Sequence, residues 1–160
     1  MAASVAIPAV LLLAGCGENM SKYLDSNRLQ LSEASVQDVY GGQWEEFAIQ
    51  CPHEGQEVIA TKYGIKQDDV EDLADRDDYQ YFYLRAADGK TEKEGVKVED
   101  AMICGPASEA GIEFTDWLPA DLKLKYEKAT PKDDWVLDAE ALQASLDDLR
   151  PDPKPDERRR

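Results

Sequence analysis

At 160 residues the chain has room for one domain and little more, and its 42% apolar content is enough for a core. Its 34 acidic side chains outnumber 18 basic ones, leaving a net charge of −16. That balance argues against nucleic acid as a partner, since phosphates would be repelled, and it opposes flat docking on anionic lipid.

No charged side chain precedes Glu18, and residues Val5 to Ala14 are apolar throughout, with Pro8 inside the run. A helix that spans a bilayer needs about 20 apolar residues, so this run is too short to cross comfortably. It has the length of a secretory hydrophobic region followed by small residues. Residues 1–15 are therefore read as a signal peptide, outside the fold. The run ends in Leu13-Ala14-Gly15-Cys16, which resembles the lipobox of bacterial lipoproteins. In that family the cysteine thiol receives a diacylglycerol, and cleavage then makes this cysteine the new N-terminus. The resemblance implies lipidation at Cys16 and a place on the outer face of the bacterial cell membrane, in the envelope. Two acyl chains anchor stably where one binds only marginally. Met1 to Ser4 carries neither Lys nor Arg, a departure from the basic start of such signals. The competing reading is a buried N-terminal apolar segment with an incidental cysteine.

With Cys16 acylated, Cys51 and Cys104 remain as an even pair. An exported pair meets an oxidising compartment, where thiols become disulfides. A Cys51–Cys104 bridge closes a loop of about 54 residues, worth roughly 4 kcal/mol in the chain-entropy account. The alternative is two reduced, buried cysteines acting as small apolar side chains.

Residues 16–34 are polar and mixed and are expected to form a lipidated tether. A single domain then runs over residues 35–149. Ser35 is placed to cap one helical turn over Val36 to Tyr40, which Gly41-Gly42 ends. Trp44 to Cys51 is a strand by alternation, with Phe47, Ile49 and Cys51 on one face, and Pro52 breaks it. Val58, Ile59 and Tyr63 follow at helical spacing, with Gly64 placed to end the helix. A second short helix is expected over Asp68 to Ala74, with Val70, Leu73 and Ala74 inward. Tyr79 to Arg85 is the clearest strand, and Asp88-Gly89 is a strong turn signal. Val96 to Cys104 is expected as the partner strand, stopped by Gly105-Pro106, and Ile112 to Trp117 as a third. Residues 118–137 show Leu122, Leu124 and Tyr126 in alternation between two prolines. A final helix fits Asp138 to Leu149, and the proline-rich residues 150–160 are expected to be a disordered tail.

This order predicts an α+β domain, a small and mainly antiparallel sheet with helices on one face. The bridge would staple the helical excursion of residues 54–75 to that sheet. The arrangement is similar to small actinobacterial-type envelope lipoproteins of unknown function. The likeness rests on the lipobox, a strand ending in Cys51-Pro52, a helix ending near Gly64 and a later strand ending in Cys104. It supports the bridge and implies no activity.

Candidate chemistry is sparse. His53 is the only histidine, so a Ser-His-Asp or Cys-His catalyst would have to use it. The neighbouring thiol of Cys51 disappears on bridging, and His53 with Glu54 then serves the start of the following helix. Cys51, His53 and Cys104 supply at most three zinc ligands, and none if bridged. The acidic run holds Asp68, Asp69, Glu71, Asp72, Asp75, Asp77 and Asp78, but not at calcium-loop spacing. It reads as a solvated face, with weak divalent-cation binding as the alternative. Tyr79, Tyr81 and Tyr83 share a face that would stack on a sugar or protein if exposed; core cover is the favoured reading. No phosphate-cradling glycine loop is present, and no cofactor is implied. The expectation is a non-enzymatic binding or scaffolding module whose partner is another envelope protein or a wall component. The runner-up is a small envelope hydrolase using paired carboxylates.

Overall fold

The computed structural model describes residues 19–26 and 31–150. The expected signal peptide, Cys16 and the expected tail beyond Arg150 lie outside the described residues.

The segment expected to be a tether contributes to the fold. Helix α1 (Asn19–Ser26) buries Met20 and Leu24 completely, and strand β1 (Leu31–Ala34) pairs antiparallel with a strand near the C-terminus. Few apolar residues occur here, but Met20 and Leu24 stand four apart and so share one helix face. Two anchors of that size suffice to dock a short helix.

Helix α2 (Val36–Tyr40) is capped as its sequence suggests. The Ser35 hydroxyl accepts from the Asp38 N–H at 3.1 Å, and the Asp38 carboxylate accepts from the Ser35 N–H at 2.8 Å. The same carboxylate takes a hydrogen bond from the Lys123 ammonium. That bond, followed by the Ser35 donors, draws the Asp38 carboxyl down from 3.8 to about 2. A depressed acid binds fewer protons folded than unfolded, so its stabilisation is complete above about pH 4 and lost as pH falls toward 2. Asp38 is exposed, and solvent screening holds the effect below about 1 kcal/mol. Asp38→Asn should flatten the melting-temperature profile between about pH 4 and pH 2. An unaltered acid limb in that variant would refute the assignment.

Strand β2 (Trp44–Gln50), helix α3 (Gln56–Tyr63) and strand β3 (Tyr79–Ala86) follow much as expected. Gly64 ends α3 in the left-handed region, at φ 66°, and its N–H donates to the Ala60 carbonyl. Val58 points to solvent, whereas Ile59 and Tyr63 are buried. The second expected helix, Asp68 to Ala74, does not form: one 3-10 turn covers Gln67–Asp69, and Val70 and Leu73 then dip into the core.

The hairpin partner of β3 is strand β4 (Thr91–Lys97), not Val96 to Cys104. The tight turn after Ala86 returns the chain at Lys90, whose carbonyl accepts from the Ala86 N–H. The strand must therefore begin there, although its residues are mostly charged. Strand β5 (Ala101–Met102) joins a different sheet, and Cys104 opens helix α4 (Cys104–Glu109) instead of ending a strand. Gly105-Pro106 lies in the first turn of α4, where a missing N–H costs nothing. Residues 112–117 carry no strand; β6 (Leu118–Pro119) is a two-residue addition to β2. Strands β7 (Leu124–Glu127) and β8 (Trp135–Leu137) precede helix α5 (Ala139–Leu149), capped by the Asp138 carboxylate on the Ala141 N–H.

The class is α+β with mainly antiparallel strands, distributed over two four-stranded sheets. Their orders are β1-β7-β8-β5 and β4-β3-β2-β6, with the β5–β8 pair parallel. One core lies between them: Phe47, Ile49, Phe82 and Leu84 from the second sheet meet Leu124, Tyr126, Trp135 and Leu137 from the first. The other face of the second sheet turns Ala48 and Tyr83 toward Ile59, Tyr63 and Val70 beneath α3. Both faces of β2 and β3 are thus covered over their central parts, which is why Phe47 to Ile49 and Tyr81 to Leu84 run continuously apolar. Among the described residues no helix is long and apolar enough to cross a membrane.

Candidate ligand-binding cleft

Cys51 and Cys104 form a disulfide, with an S–S distance of 2.10 Å and Cα atoms 5.6 Å apart. It joins the residue after β2 to the first residue of α4 and so ties the two sheets together. A cleft of about 690 Å³ opens beside it. Its apolar wall comes from Pro52, Val98, Met102, Ile112 and Phe114, together with the bridge itself.

Two buried polar side chains hold this wall in place. Gln80 lies on the β3 face that also bears Phe82 and Leu84, and it is 1% exposed. Its amide N–H donates to the Ala101 carbonyl, and its amide oxygen accepts from the Cys104 N–H at 3.2 Å. It therefore fixes both β5 and the start of α4, and with them Met102 and Cys104. Tyr63, from α3, places its hydroxyl 2.8 Å from the carbonyls of both Ile49 and Phe114. Burial pushes its phenol well above the usual range, so it stays a neutral donor. The Trp117 indole N–H donates to the Tyr63 carbonyl at 3.0 Å, and the Arg85 guanidinium lies 4.0 Å over the Trp117 ring. The irregular stretch 112–117 is thereby pinned to the second sheet without strand pairing.

A third network closes the loop behind the cleft. Gln50 donates to the carbonyls of Glu54 and Glu71 at 2.8 and 2.9 Å and accepts from the Tyr83 hydroxyl at 2.7 Å. Tyr83 is core, in line with the covered-face expectation. Tyr79 and Tyr81 are half-buried and stack on each other at 6.1 Å.

His53 stands exposed at the mouth, with its backbone in the left-handed region at φ 68°. Its N–H donates to the Arg76 carbonyl at 3.1 Å, which holds that conformation. It does not cap α3; the N-cap is Gly55, without a side-chain bond. Glu54 turns back instead, accepting from the Cys51 N–H at 2.7 Å and pairing with Lys62. With both thiols oxidised, no thiolate is available beside His53 for nucleophilic attack or zinc.

The acidic run disperses. Glu71 pairs with Lys93 at 2.7 Å, Asp78 with Arg76 at 2.8 Å, and Asp72 accepts from the Ala74 N–H at 3.2 Å. Among the described residues no three His, Cys, Asp or Glu side chains are grouped to hold a metal ion. Burial, with the nearby Glu92 charge, pushes the Glu94 carboxyl upward, but Glu94 lies on β4 and does not line the cleft. The cleft combines apolar walls, backbone held by Gln80 and Tyr63, and a few charged side chains.

Sequence reasoning missed Gln80. Its signal was phase, since an amide in register with Phe82 and Leu84 faces the core and must be satisfied there. No protein family matches the chain, and neither a curated protein nor a solved structure matches it.

Proposed function

We propose that the chain is a lipoprotein, anchored through Cys16 on the outer face of a bacterial cell membrane, and that it works there as a non-enzymatic binding module. The cleft beside the Cys51–Cys104 bridge is the surface it presents to the envelope. The observation that carries this reading is the sorting of the cysteines. Cys16 ends the Leu13-Ala14-Gly15-Cys16 motif, and the other two are joined to each other, as suits an oxidising compartment. A partner among envelope proteins or wall components fits an apolar-walled cleft of this size.

Intact mass should show residues 1–15 removed and a lipid added at Cys16. Cys16→Ala should move the chain from the membrane fraction to the soluble one. A Cys16→Ala chain that stayed with the membrane would overturn the anchor. Cross-linking in intact cells should capture an envelope protein or wall fragment at residues lining the cleft; contacts confined to other faces would overturn the binding role.

A further inference from the structure

We propose that the cleft beside the bridge binds a small organic cation, an apolar body carrying one ammonium group. The inference rests on the binding-module reading and names the ligand class of the same site.

Size favours a small molecule, because about 690 Å³ falls within the range of drug-sized sites. The walls favour an apolar body: Met102, Ile112 and Phe114 line the cleft together with the disulfide, and a thioether adapts to irregular shapes. Charge then selects the sign. Glu54, Asp77 and Glu113 line the cleft against one ammonium, that of Lys62. Lys62 is already consumed by Glu54, whose carboxylate also accepts from the Cys51 N–H. Asp77 and Glu113 make no ion pair or side-chain hydrogen bond among the described residues. Both are exposed, so each stays hydrated until a ligand arrives. An anionic ligand would meet these two carboxylates and the field of a chain of net charge −16. A neutral ligand would use the walls alone. A cation would use the walls and pair with a carboxylate at the mouth.

The test is calorimetric titration of the full chain at low salt with three probes of one shape: cyclohexylmethylammonium, cyclohexylmethanol and cyclohexanecarboxylate. The ammonium should bind about tenfold more tightly than the alcohol, equivalent to roughly 1.4 kcal/mol, and the carboxylate weakest of all. Asp77→Asn/Glu113→Gln should erase the preference while leaving affinity for the alcohol unchanged. Glu45→Gln/Asp121→Asn, which neutralises two exposed acids outside the cleft lining, should keep it. Equal binding of ammonium and alcohol overturns the cation assignment but leaves the cleft a binding site. Loss of the preference in the control variant also overturns it, because the attraction would then belong to the net charge. Binding of none of the three overturns the inference, while the Cys16 and cross-linking tests judge the wider reading separately.

Discussion

Opening the Cys51–Cys104 bridge should lower stability by about 4 kcal/mol, one of the two largest effects expected of any change confined to a few atoms. The bridge closes a loop with a sequence separation of 53, which contains α3, the 3-10 turn, β3, β4 and β5. Unbridged, the unfolded chain regains the freedom of that whole loop, while the folded state keeps its hydrogen bonds. Cys51→Ala/Cys104→Ala should melt roughly 12 °C below the native chain, given the entropy of unfolding for a domain of this size. A dithiol reductant should reproduce the shift in the native protein and have no effect on the variant. A variant melting within about 3 °C of the oxidised protein would show that the loop stays ordered by its own contacts.

The second large effect is expected at Gln80. Replacing it with Leu preserves approximate volume and apolar packing but strands two backbone groups, the Ala101 carbonyl and the Cys104 N–H. Each unsatisfied group costs about 1–3 kcal/mol when buried, so the variant should lose about 3 kcal/mol. Urea unfolding would show a lower midpoint with an unchanged slope, because the surface exposed on unfolding is the same. Amide exchange should also quicken at residues 101–104, the segment Gln80 holds. A loss under about 1 kcal/mol would mean that the two backbone groups find other partners.

Much of the local structure was legible, wherever a residue's own chemistry decided its conformation. Ser35 marked the cap of α2, Gly64 supplied the left-handed end of α3, and the aromatic run of β3 excluded most alternatives. The bridge followed from counting cysteines. Failures came where tertiary contacts outweighed local pattern. Strand β4 is an edge strand whose charged side chains are exposed or, at Glu94, half-buried, so it carries no hydrophobic period over Thr91 to Glu94. The expected strand was accordingly shifted toward Val96 and Val98, the apolar residues nearest it. Strand β8 has three residues, too few to show any period, and the pairing that defines it lies with β5 and β7. The cleft was not legible at all. Its lining is drawn from five separate places, around residues 51–54, 62, 77–80, 98–108 and 112–115, brought together by Gln80, Tyr63 and the disulfide.

The early start of α1 has a consequence for geometry at the bilayer. Helix α1 begins at Asn19, three residues after Cys16. Three peptide units reach at most about 11 Å, somewhat more than the depth of one headgroup layer. A lipid on Cys16 would therefore moor the body close against its membrane instead of letting it range outward on a long leash. Tumbling would be confined, one side would be shaded by headgroups, and whatever enters the cleft would have to arrive along the surface or from the wall side.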